Sequence, residues 1–147
     1  MSREPSSGLR AVLDTNVLIS MFANHPDRPI FQLWVYAVRR RYTLLLSPDI
    51  IREVVRTLRH KFAWEEPELI QLAKALAHVG ELITPAITLD VIPTDPDDNR
   101  ILECAVAGSA HLIVSGDRDL RHLRTYEGIS IVVPRDFMRM LSIPEHL

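Results

Sequence analysis

Cysteine is nearly absent from the 147-residue chain: Cys104 stands alone, which excludes an internal disulfide and a cysteine-rich zinc site. Its neighbours Leu102, Ala105 and Val106 place it on an apolar helix face, as a buried thiol with nothing nearby to activate it. The six histidines (His25, His60, His78, His111, His122 and His146) are scattered, with no pair at metal-binding helical spacing. A metal in this protein would have to be held by oxygen. Lysine is scarce too, with Lys61 and Lys74 set against 15 arginines, and the formal net charge of −2 is not that of a protein built to coat nucleic acid. No apolar run approaches the roughly 20 residues of a membrane span. Residues 1–8 are polar, include Pro5 and Ser6, and lack the apolar stretch of a signal peptide. A cytoplasmic protein with a flexible N-terminus over 1–8 is therefore expected.

What the chain does have is apolar content, 47% of its residues, enough for a substantial core at a common single-domain size. Five short runs read as strands: Leu9–Leu13, Tyr42–Leu46, Leu89–Ile92, His111–Ser115 and Ile129–Val133. Most lack polar alternation, the pattern of a parallel sheet covered on both faces. Helical periodicity fills the gaps at Thr15–Phe22, Ile30–Arg40, Pro48–Phe62, Pro67–Val79, Asp97–Ala107 and Arg135–Leu141, leaving 142–147 as a C-terminal tail. Ser47 before Pro48 is an N-cap with proline at the first helical position, Gly80 closes the helix before it, and Thr94, Asp95 and Pro96 open the next. These signals predict one α/β domain over 1–147, three-layered α/β/α with a central, mainly parallel five-stranded sheet. Ligands of such a sheet bind beyond the carboxyl ends of the strands.

Carboxylates fall at those ends. Ala11-Val12-Leu13 runs straight into Asp14, and Leu112 to Gly116 leads into Asp117. Asp98 lies in the first turn of the helix after the third predicted strand, and Glu53 one turn into the helix after the second. Each has an ordinary explanation. Aspartates at helix starts are caps, Asp95, Asp97 and Asn99 compete with Asp98 for one cap, and Glu53 can pair with Arg56 on a solvated face. Four carboxylates converging on one rim would nevertheless repel each other unless cations lay between them. Their hard oxygens suit Mg²⁺ or Mn²⁺, and two-metal clusters of this type serve phosphodiester hydrolysis.

Four segments carry a resemblance: Val12-Leu13-Asp14-Thr15-Asn16-Val17-Leu18, Ile50-Ile51-Arg52-Glu53-Val54, Asp97-Asp98-Asn99-Arg100-Ile101 running to Ala105, and Val114-Ser115-Gly116-Asp117-Arg118-Asp119-Leu120. In order and spacing the sequence resembles the PIN-domain family, in particular bacterial and archaeal PIN proteins related to VapC-type toxins. The resemblance implies a Mg²⁺- or Mn²⁺-dependent endoribonuclease, the toxin component of a toxin-antitoxin system. It implies Asp14 and Asp98 as metal ligands, Glu53 as a ligand or water-orienting base, and Asp117 as a ligand of a second metal or a supporting group. Asn16 and Ser115 would hold the cluster by hydrogen bonds, with Asp119 as an outer acid. Asp98 is preferred to Asp97 because Ile101 and Ala105 follow it at three and seven residues, as in the family. A homodimer and an antitoxin protein are the partners the resemblance implies.

Arg52, Arg56 and Arg59 share a helix face near Glu53, and Arg118 and Arg121 flank Asp117, so Arg52, Arg56 and Arg118 are candidate contacts to an RNA backbone. Few exposed aromatics can be inferred, which gives base stacking little support. In Ile30–Val38, spacing assigns Phe31, Trp34, Val35 and Val38 to the core and leaves Leu33 and Tyr36 pointing elsewhere, toward another chain. Two other α/β classes that gather aspartates fail on residues: a receiver domain needs a lysine where Val132-Val133-Pro134-Arg135 has none, and a haloacid-dehalogenase-like phosphatase needs an aspartate where Asn16 stands. The remaining alternative is a PIN scaffold that binds RNA or protein without cutting.

Overall fold

The computed structural model describes residues 8–92 and 95–143. Thr94, most of the N-terminal segment and the last four residues of the expected tail lie outside this range. Six strands form one sheet in the order β3-β2-β1-β4-β6-β5: β1 (Arg10–Leu13), β2 (Thr43–Leu46), β3 (Glu81–Leu82), β4 (Leu112–Val114), β5 (Thr125–Tyr126) and β6 (Ile129–Val132). All pairings are parallel except that of β5 with β6. The central strands are buried along nearly their whole length, since helices cover both faces.

The helices are α1 (Thr15–Ala23), α2 (Gln32–Val38, entered through a 3₁₀ turn at Pro29–Phe31), α3 (Pro48–Lys61), α4 (Glu66–Val79), α5 (Pro96–Ala107), α6 (Arg118–Leu123) and α7 (Pro134–Ser142). In α3, Ile50, Val54 and Leu58 recur every four residues and are buried, and the Ser47 hydroxyl accepts from the Ile50 N–H at 3.2 Å, the cap that the sequence signals. Gly80 ends α4 in an extended conformation. Its lack of a side chain matters for close approach: a Cβ there would stand 2.6 Å from a Leu46 methyl and 3.0 Å from the Leu76 carbonyl oxygen. Among the described residues no helix is long and apolar enough to cross a membrane.

Four expectations change, one of them being the short helix α6, which the sequence reading did not include. Leu89–Ile92 is not a strand, because side chains of α5 take its backbone groups. Asn99 Oδ1 accepts from the N–H groups of Val91 and Ile92 at 2.8 Å each, and Glu103 accepts from the Leu89 N–H at 2.7 Å. The third strand is instead the two-residue Glu81–Leu82, held beside β2 and β1 by a two-pronged Arg10–Glu81 ion pair with N–O distances of 3.1 and 2.7 Å. A sixth strand arises from the hairpin β5–β6, whose Glu127-Gly128 turn has positive φ at both residues (+49° and +81°), the geometry suited to two-residue hairpins. In α2 the buried residues are Leu33 and Ala37, while Val38 is 51% exposed. The tighter 3₁₀ turn resets the helical phase, so that spacing counted from Ile30 misplaces the apolar stripe.

Candidate metal centre

Sequence order leaves β1 through β2 to β3 on one side and passes β4 to β6 on the other, so the topology reverses between β1 and β4. The open end of such a reversal point is where doubly wound sheets bind ligands. Asp14 and Asp117 follow these two strands. The Asp14 N–H continues the sheet by donating to the Val114 carbonyl at 3.0 Å, and its Oδ1 caps α1 by accepting from the Val17 N–H at 2.9 Å. Asp117 Oδ1 caps α6 through the N–H groups of Asp119 (2.9 Å) and Leu120 (3.1 Å). Both acids are therefore caps and rim groups at once.

Ser115, fully buried between them, joins the two. Its hydroxyl donates to Asp14 Oδ2, and its Oγ accepts from the Asp117 N–H at 2.9 Å. Asp98 reaches the same rim from the first turn of α5. Carboxylate oxygens of Asp95, Asp98 and Asp117 lie within 4.8 Å of one another. Asp98 is only 7% exposed and its Oδ2 is buried without a hydrogen-bond partner, whereas Asp97 faces solvent. Burial first, then the charges of Asp117 and Asp95, a side-chain hydrogen bond with Asp117 and the charge of Asp14, push the Asp98 carboxyl up to about 8. Burial likewise raises Asp14, against the opposing hydrogen bonds from Ser115 and Val17.

One cavity of about 110 Å³ brings Asp14, Glu53, Asp98 and Asp117 together with Asp95, Asp97, Thr15, Asn16, Thr57, Lys61 and Ile101. Glu53 lies across it on α3, held by an ion pair with Arg56 and by the Thr57 hydroxyl at 3.4 Å. No cysteine or histidine lines the cavity among the described residues. Crowded, partly desolvated carboxylates relieve their repulsion by keeping a proton or by binding a hard cation, and the orphaned Asp98 oxygen fits the second.

The residue model of the PIN domain family matches positions 10–119, three quarters of the chain and all four of these acids. The chain belongs to the PIN domain family. No curated protein matches it in sequence. Among solved structures, this PIN domain is similar in fold to a chain of VapBC2 from Rickettsia felis bound to a DNA fragment from their promoter, with a TM-score of 0.59 at 14% identity, covering 85% of this chain and 98% of that one.

Other candidates occupy different places. The Asn16 side chain is exposed at the cavity mouth, and the group that assists Asp14 is the Asn16 backbone N–H. Asp119 is exposed and outside the cavity, and its N–H donates to Asp117 Oδ1. Arg52 pairs with Asp49 at 2.6 Å, Arg56 with Glu53, and Arg59 with Glu66 at 2.7 Å; Arg118 is exposed, and none of the four lines the cavity. Lys61 does, and it is the only cation among the described lining residues. Sequence reasoning passed over Thr57 and Lys61, although Glu53, Thr57 and Lys61 recur at four-residue intervals on one helix face. Asp95 was legible only as a cap. It does cap α5, accepting from the Asp97 N–H at 3.1 Å, while also facing Asp98 and Asp117.

Proposed function

We propose that this PIN domain is a single-domain, cytoplasmic endoribonuclease that uses Mg²⁺ or Mn²⁺ to hydrolyse phosphodiester bonds of RNA. The observation that carries the reading is the Asp98 carboxyl, buried with an unpartnered oxygen against Asp95 and Asp117 at the strand-end reversal point. Asp14, Asp98 and Asp117 would hold the cation, with Asp95 and Glu53 completing an all-oxygen set. When bound, such an ion supplies an activated water and charge stabilisation for in-line displacement at phosphorus.

The chain's own groups do the positioning. Ser115 ties the Asp14 carboxylate to the Asp117 backbone, and the N–H groups of Asp119 and Leu120 hold the Asp117 carboxylate, so neither carboxylate has to be ordered when substrate arrives. Glu53, held in place by Arg56 and Thr57, is the group to accept a proton from an attacking water. Lys61 offers its ammonium to the phosphate that approaches an otherwise acidic cavity.

A toxin role, an inhibitory protein partner and a homodimer rest on the family resemblance, and the solved neighbour comes from a VapBC2 assembly. The deciding experiment is cleavage of single-stranded RNA with Mg²⁺, Mn²⁺ or EDTA, comparing wild type with Asp14→Asn and Asp98→Asn. Cutting that needs the metal and is lost in both variants is expected. Cutting that survives EDTA, or persists unchanged in Asp14→Asn, rejects the nuclease assignment, and RNA binding without any cutting identifies a silent scaffold.

A further inference from the structure

Asp14, Asn16 and Asp117 also wall a second cavity, of about 330 Å³, which extends away from α3 and α5 toward α1, the 3₁₀ turn and the start of α7. Its remaining lining is Val17, Ser20, Ile30, Gly116 and Pro134. Half of these eight lining residues are polar or acidic and half are apolar or glycine, and the volume is at the low end of the roughly 300–1,000 Å³ that small-ligand pockets occupy. Among the described residues, neither the Asn16 amide nor the Ser20 hydroxyl has a hydrogen-bond partner. Among the described residues no side-chain cation lines the space, so no protein group there would fix a phosphate. A flat, neutral ring with donors and acceptors on its edge meets all these conditions.

Resting on the nuclease reading, we infer that this cavity is a subsite for one unstacked nucleobase next to the scissile phosphate, with Asn16 and Ser20 reading its edge. Single-stranded RNA is recognised in this way, by splayed bases packed on side-chain walls and hydrogen-bonded along an edge. Because the two cavities share Asp14 and Asp117, a strand with its phosphate at the acid cluster brings a neighbouring base to the second one. Val17, Ile30 and Pro134 supply packing surface in place of aromatic platforms. The subsite makes this PIN domain selective for base identity at one position beside the cut.

The test is binding of the four ribonucleoside 5′-monophosphates and of ribose 5-phosphate to the Mg²⁺-supplemented protein, followed by NMR. It is combined with the cut-site base preference on a randomised single-stranded RNA. One base is expected to bind roughly tenfold more tightly than ribose 5-phosphate, the scale of one edge-reading pair of hydrogen bonds. Ser20→Trp and Ile30→Trp, which fill the cavity from two elements, should each abolish that advantage without changing the affinity for ribose 5-phosphate. Equal binding of all five probes, or a base preference that survives both substitutions, overturns the subsite. Metal-dependent cutting with no base preference also overturns it and leaves the nuclease reading standing. Base-dependent binding that both substitutions remove, in a protein that cuts no RNA, supports the subsite and removes the nuclease reading.

Discussion

Asp98 and Asp117 hold carboxylate oxygens within 4.8 Å of each other, and Asp98 Oδ2 is buried there with no hydrogen-bond partner. Such a pair costs stability unless a proton or a cation separates the charges. Asp98→Asn removes one charge and keeps the shape. In EDTA near pH 8 it should therefore melt at a higher temperature than wild type, while losing the stabilisation that Mn²⁺ gives wild type. A variant that melts lower than wild type in EDTA, or one that Mn²⁺ still stabilises equally, contradicts the metal assignment.

The same carboxyl makes stability depend on pH. Its folded-state value of about 8 lies above the ordinary carboxylate value, so between the two the folded state keeps a proton that the unfolded chain has lost. Metal-free protein should lose stability as pH rises from about 4 to about 8 and level off above that. Saturating Mg²⁺ or Mn²⁺ should flatten the curve. Thermal melts across this range, with EDTA and with metal, check both; metal-free stability that increases from pH 5 to pH 8 would rule the shift out.

Ser115→Ala removes the hydroxyl that joins Asp14 to the Asp117 N–H. Loss of this buried bridge should cost about 1–3 kcal/mol of folding stability and weaken metal binding roughly 10–100-fold. Denaturant melts and Mn²⁺ titration measure the two effects. Unchanged metal affinity would mean that the acids hold their positions without it.

Lys61→Ala should lower RNA affinity, with a salt dependence shallower by about 0.7 in log–log slope, and leave Mn²⁺ affinity intact. Arg52→Ala, whose guanidinium is turned to Asp49, should move the slope far less. Fluorescence anisotropy over a salt series compares them. A larger effect for Arg52 would relocate the RNA path to the outer face of α3.

Asn99 answers both N–H groups and the carbonyl of the Val91–Ile92 segment, its Nδ2 donating to the Ile92 oxygen at 2.7 Å. Asn99→Ala strips those partners from a buried backbone and should destabilise the protein by about 1–3 kcal/mol. Hydrogen exchange at Val91 and Ile92 should accelerate with it. Protection that stays unchanged would show that the segment is held by other contacts.

Local rules were enough to locate six of the seven described helices and the central strands, because apolar runs at β1, β2 and β4 and caps such as Ser47 act within a few residues, whereas the six-residue α6 is too short to show a helical period. They also marked Asp14 and Asp117, since a strand end can be read from the chain itself. Leu89–Ile92 failed because the competition for its backbone came from Asn99 and Glu103, whose geometry exists only after α5 has packed. The site divides in the same way. Sequence nominated Asp14, Glu53, Asp98 and Asp117, but only packing could turn Asp95 and Lys61 toward them and turn Arg52 away. Residue type fixes what a side chain is able to donate or accept. Which groups share a buried space depends on contacts far apart in the chain, and so does the strained state of the Asp98 carboxyl.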